Sequence, residues 1–135
     1  MAVNTAQAGS TVRTFLCATD LSEKQGYIVS YLNPTDNTVE LTTDADGIKM
    51  MAGVVVDGGT GANTPVSVCI AGVCRVFMVE AAEPGDGVRP QAAAKGSANN
   101  AADAAKIGRL LETSAANSLS LMHVQFIPQA TVIGA

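Results

Sequence analysis

KMMAGVVVD (Lys49–Asp57), TPVSVCIAG (Thr64–Gly72), VCRVFMVE (Val73–Glu80) and EPGDGVR (Glu83–Arg89) succeed one another between Lys49 and Arg89. Apolar, β-branched blocks alternate there with glycine turns, which is the pattern of short strands rather than of helices. Met50 to Val56 is apolar at every position, so this strand is expected to be buried on both faces or to lie at an interface. Ala71-Gly72 reads as a two-residue hairpin turn joining Val66–Ile70 to Val73–Glu80. In that register Val66, Val68, Ile70, Val73, Phe77 and Val79 share one face, with Arg75 its odd member. Ser67, Cys69, Cys74, Val76 and Met78 share the other. Neither face is polar, so one is expected in the core and the other, through Val76 and Met78, against a second protomer.

Outward from this stretch the same signals recur. Thr11 to Ala18 is a first strand, and Tyr27–Leu32 with Thr38–Thr43 forms a hairpin around Asn33-Pro34-Thr35-Asp36-Asn37, where Pro sets φ and Asn and Asp tolerate left-handed backbone. Lys106–Glu112 and Leu119–Ile127 are the last strands, and Pro128 closes the sheet. Ala92 to Ala105 is an Ala and Asn stretch without an apolar stripe. It reads as a loop with one or two helical turns capped by Asn99 or Asn100. Residues 1–10 form a flexible polar arm, 11–128 one β-domain and 129–135 a tail. Seven or eight short strands with little helix predict an all-β protein, a small antiparallel β-barrel or β-sandwich.

Composition narrows the function classes. The 135 residues are 47% hydrophobic but only 4% aromatic, with no Trp, so Val, Ile, Leu, Met and Ala must fill the interior. Only 15% are charged, against about 25% in an average soluble domain, which favours oligomerisation or docking. A net charge of −4 with eight scattered basic residues gives no footprint for nucleic acid. No apolar run is long enough to span a bilayer. Residues 1–11 lack the charged start and apolar region of a secretory signal, and synthesis in the cytoplasm is expected.

Reactive chemistry is sparse, and no enzyme, cofactor or metal site is expected. His123 stands within the apolar strand LMHVQF with no acid placed to orient it, and no Ser occupies a nucleophile elbow. Asp44-Ala45-Asp46-Gly47 and Asp57-Gly58-Gly59 resemble fragments of calcium loops, but neither continues to a distal Glu, and both read as turns. Gly58 to Gly61 lacks the Lys and Ser or Thr of a phosphate loop. Cys17, Cys69 and Cys74 are too few for a disulfide scaffold. On the hairpin register Cys69 faces Cys74, close enough for a bridge, although two reduced thiols packed as small apolar groups is the expected state.

The order of the blocks resembles the small capsid decoration, or cement, proteins of tailed bacteriophages. Gly26 before an early strand, Met51-Ala52-Gly53-Val54-Val55, Val66-Ser67-Val68 leading to Gly72, Pro84-Gly85-Asp86-Gly87-Val88, Lys106–Glu112 and the closing strand Leu121–Phe126 carry the likeness over about three quarters of the chain. The resemblance implies a β-rich structural protein of the virion. Such a protein binds the major capsid protein on the outer capsid surface at subunit junctions and assembles with itself, as a homotrimer or a dimer. It implies an arm, Val3 to Thr11, that orders on the capsid, with Val3, Asn4, Thr5 and Thr11 as its contacts. The competing reading is an oligomeric β-module on a phage fibre, baseplate or cell surface that binds glycans. The lack of Trp and the presence of only two Tyr weigh against the aromatic platforms that sugars need.

Overall fold

The computed structural model describes residues 10–32, 37–42, 51–99 and 106–127. Nine strands follow in order: β1 (Thr11–Cys17), β2 (Ile28–Tyr31), β3 (Thr38–Leu41), β4 (Met51–Gly58), β5 (Pro65–Met78), β6 (Gly87–Pro90), β7 (Gly96–Ala98), β8 (Lys106–Leu110) and β9 (Ser118–Ile127). A 3-10 turn, Ala92–Ala94, precedes β7. The all-β class is as expected. The turn residues 33–36, the acidic pair Asp44 and Asp46, residues 100–105 and the tail lie outside the described residues.

The strands form one mixed sheet rather than a simple barrel, and β5 organises it. Its first half pairs antiparallel with β1 on one edge and β4 on the other. Its second half pairs antiparallel with β9 and, at Met78↔Gly96, parallel with β7. The pairings therefore close two circuits through the same strand, β5-β1-β3-β2-β4 and β5-β7-β6-β8-β9. Two pairs, β1–β3 and β5–β7, are parallel, so the expected wholly antiparallel arrangement is corrected to a mixed one.

The expected hairpin at Ala71-Gly72 is also corrected. Residues 65–78 are one 14-residue strand, and β5 changes partner at this point, from Thr11↔Ala71 to Gly72↔Val124. With β1 and β4 already bonded to both edges of Val66–Cys69, no edge is left for Val73–Met78 to fold back upon. Gly72 does supply a left-handed backbone, with φ +93°, but it uses it to bend a strand instead of reversing one. Ser10 packs into that bend, its hydroxyl donating to the Val73 carbonyl at 2.6 Å.

Each circuit has its own core. Phe15, Cys17, Leu21, Val29, Val39, Ala52, Val55, Val66 and Val68 fill the first. In the second, Cys74, Val76, Met78, Val88, Ile107, Leu110, Met122 and Val124 meet Ile28, Met51, Val54, Val56 and Cys69, which lie on the back of the first circuit. β4 stands between the two, and every residue from Met51 to Val56 is buried. This resolves the choice left by its all-apolar sequence: the strand is covered on both sides by its own chain. Burial of a Val side chain contributes about 1.5–3 kcal/mol, and β4 collects that from both faces.

Ser30 and Thr42 are buried and share a hydroxyl hydrogen bond of 2.6 Å. Ser30→Ala strands the Thr42 hydroxyl and is expected to lower unfolding free energy by about 1–3 kcal/mol in urea titration, while Ser30→Ala with Thr42→Val loses less than the single variant. β7, a strand of three small residues, is held by Glu80. The carboxylate Oε1 of Glu80 accepts from Ser97 Oγ at 2.7 Å and from the Ala98 N–H at 3.1 Å.

Candidate interaction surface

The sequence-predicted interface residues Val76 and Met78 have 0% accessible surface. They point into the second core and cannot touch another protomer, so that expectation is corrected. Because β5 is a single strand, the alternation that buries Cys74, Val76 and Met78 turns Val73, Arg75 and Phe77 outward. Arg75, the odd member of its face in the sequence, was the signal that this face meets water. Of the expected arm contacts, Val3, Asn4 and Thr5 lie outside the described residues. Thr11 is exposed at the start of β1, opposite Ala71.

Among the described residues the remaining sequence candidates form no catalytic cluster. His123 is exposed on β9 between Val73 and Arg109, with no carboxylate in either opposing position. Asp57 spends an oxygen on the Gly58 N–H at 2.8 Å, as a turn residue does, and among the described residues no group of three or more His, Cys, Asp or Glu could hold a metal ion. The glycine loop after it plugs the first circuit: Leu21 donates its N–H to Gly59 O and Asn63 donates to Cys17 O.

Cys17, Cys69 and Cys74 are buried free thiols. The bend at Gly72 brings the last two together although no hairpin forms. Their mutual hydrogen bond holds the Cys69 thiol below its usual range, and the same bond, with burial, pushes Cys74 up. Denatured without reductant, the protein is expected to titrate three thiols. A count of one would show a Cys69–Cys74 bridge instead.

What the outer face of the second circuit offers is a ribbon of apolar and cationic side chains. Facing pairs put Val73 beside His123, Arg75 beside Leu121 and Phe77 beside Leu119, while Arg109 stands on the far side of His123. Arg75 makes a 3.4 Å ion pair with Glu112, whose Oε1 also accepts from the Leu121 N–H at 2.9 Å. That pair is partly exposed and adds little stability. At one end the segment before β2 is tied down by three backbone bonds to β4 and β5, Gly26 N–H to Val55 O, Val55 N–H to Tyr27 O and Phe77 N–H to Gly26 O, each 2.9 Å. This sets the Tyr27 ring 5.5 Å from the Phe77 ring. Lys24 Nζ lies 4.9 Å from the Tyr27 centroid, and Lys95 Nζ lies 5.9 Å from Tyr27 and 5.3 Å from Phe77. Further apolar exposure occurs at Val12, Leu16, Leu32 and Leu111.

No family model matches the chain, and no curated protein matches it. Among solved structures it is similar to the N base of head fibre gp8.5 of bacteriophage phi29, at 13% identity and a TM-score of 0.62, over 90% of this chain and 98% of that one. The likeness shows the fold. The Lys24, Tyr27, Phe77 and Lys95 cluster carried no sequence signal, because its members come from a turn, a strand and a linker far apart in the chain. Only the crossing of β5 between the circuits unites them.

Proposed function

We propose that this chain is a structural protein of a tailed-bacteriophage head, bound to the outer surface of the shell at junctions between major capsid subunits and stabilising the mature form. The observation that carries the reading is the likeness to the phi29 head-fibre base along nearly the whole of that chain. It agrees with the resemblance of the sequence blocks to capsid decoration proteins. The described surface is consistent with a non-enzymatic role, since its distinguishing features are docking groups rather than reactive ones. Assembly as a homotrimer, and ordering of the Val3–Thr11 arm on the capsid, belong to the same reading.

Stabilisation then needs only differential affinity. A protein that binds the expanded lattice better than the precursor shifts the shell toward the mature state by that difference. One site at a free concentration of 100 Kd contributes about 2.7 kcal/mol, and many sites act on one shell. Purified protein mixed with undecorated heads is expected to appear in electron micrographs as density over subunit junctions and to raise the temperature at which heads rupture. Heads that remain bare at micromolar protein would end this reading.

A further inference from the structure

Lys24 and Lys95 converge on one aromatic pair, Lys24 over Tyr27 from the turn before β2 and Lys95 near both Tyr27 and Phe77 from the residue before β7. Neither makes an ion pair among the described residues. Two ammonium groups drawn to one pair of rings repel each other, and cation–π attraction of about 0.5–1 kcal/mol each at exposed sites holds them; the Asp20 carboxylate, held low chiefly by hydrogen bonds from Ser22, also feels Lys24, so their positive field is only partly offset. This field sits on a chain of net charge −4, beside the apolar edge formed by Phe77 and Leu119. A carboxylate entering between the two lysines relieves the repulsion and gains two charge-assisted hydrogen bonds.

The geometry points to an acidic protein segment as the occupant: Asp or Glu side chains seated between Lys24 and Lys95, with an apolar neighbour over Phe77 and Leu119. Sugars and bases are disfavoured, because each ring already carries an ammonium group where stacking would occur. Two lysines are also too few to follow a phosphate backbone. That the acidic segment belongs to the phage shell rests on the function proposed above; the carboxylate chemistry of the site does not.

The test titrates isotope-labelled protein with an oligoglutamate peptide, with oligoglutamine and with an acidic alginate oligosaccharide, following backbone amide signals. Oligoglutamate is expected to shift Lys24, Tyr27, Phe77 and Lys95, more weakly as salt rises, and oligoglutamine to leave them in place. The double variant Lys24→Glu/Lys95→Glu, shown by its melting curve to be folded, is expected to bind oligoglutamate at least about tenfold more weakly. Unmoved signals, equal binding by the double variant, or a response to alginate without one to oligoglutamate overturns the inference. A second measurement places both proteins on undecorated heads. Decoration by wild type but not by the double variant supports the shell as partner, and equal decoration by both overturns the inference while leaving the head reading intact. Wild type that binds oligoglutamate yet leaves heads bare removes the head reading and keeps the acidic-segment site.

Discussion

Gly53→Ala is expected to lower the melting temperature by about 10 °C or more, and Gly53→Val to leave no folded protein at all. Gly53 lies in β4 opposite Val29 of β2, and its bare Cα passes directly against β5. A Cβ at this position would overlap the carbonyl oxygen of Cys69 and sit 2.8 Å from Val68 Cγ1. The obstacle is backbone, and it cannot retreat, because the same stretch of β5 is bonded to β1 on its other edge. Overpacking a core typically costs about 1–3 kcal/mol when side chains can give way, so a clash with a doubly paired strand belongs at or above the top of that range. Total stability is only about 5–15 kcal/mol, and the β-branched Val exhausts it. Calorimetry checks the pair; a Gly53→Ala melt within about 2 °C of wild type would refute the close approach of β4 to β5.

Val76→Asp is expected to abolish cooperative folding of the isolated chain, whatever its oligomeric state. Val76 has no accessible surface and packs among Met78, Met122 and Val88, where a carboxylate finds no partner. Burial of an unpaired charge costs several kcal/mol even after the group takes up a proton. If Val76 instead lined an interface between protomers, the variant would fold as a monomer and merely fail to assemble. Val73→Asp, on the outward face of the same strand, is the companion and costs about 1 kcal/mol or less. Circular dichroism melts and sedimentation of both variants separate the two outcomes.

Local chemistry was legible wherever a segment needed no distant partner to define it. The Asn33–Asn37 turn announced the pairing of β2 with β3, which the register Val29↔Leu41, Ser30↔Glu40 and Tyr31↔Val39 displays. The all-apolar run from Met50 to Val56 announced a strand with no wet face. β7 was not legible, since Gly96-Ser97-Ala98 has no β propensity and is a strand because β6, Met78 and the Glu80 carboxylate hold it. Nor was the depth of Val76 and Met78, because period-2 alternation names two faces without saying what covers either.

From the residues alone came the β class, most strand positions, the turn chemistry and the poverty of reactive groups, all set by backbone preference and side-chain type over a few neighbours. Only the tertiary structure decided that Gly72 bends β5 and does not reverse it, that the second greasy face is buried by the same chain, and that Lys24, Tyr27, Phe77 and Lys95 meet. Those outcomes depend on which edges are already hydrogen-bonded when a segment looks for a partner, and competition for edges is a property of the whole sheet that no short window of sequence contains.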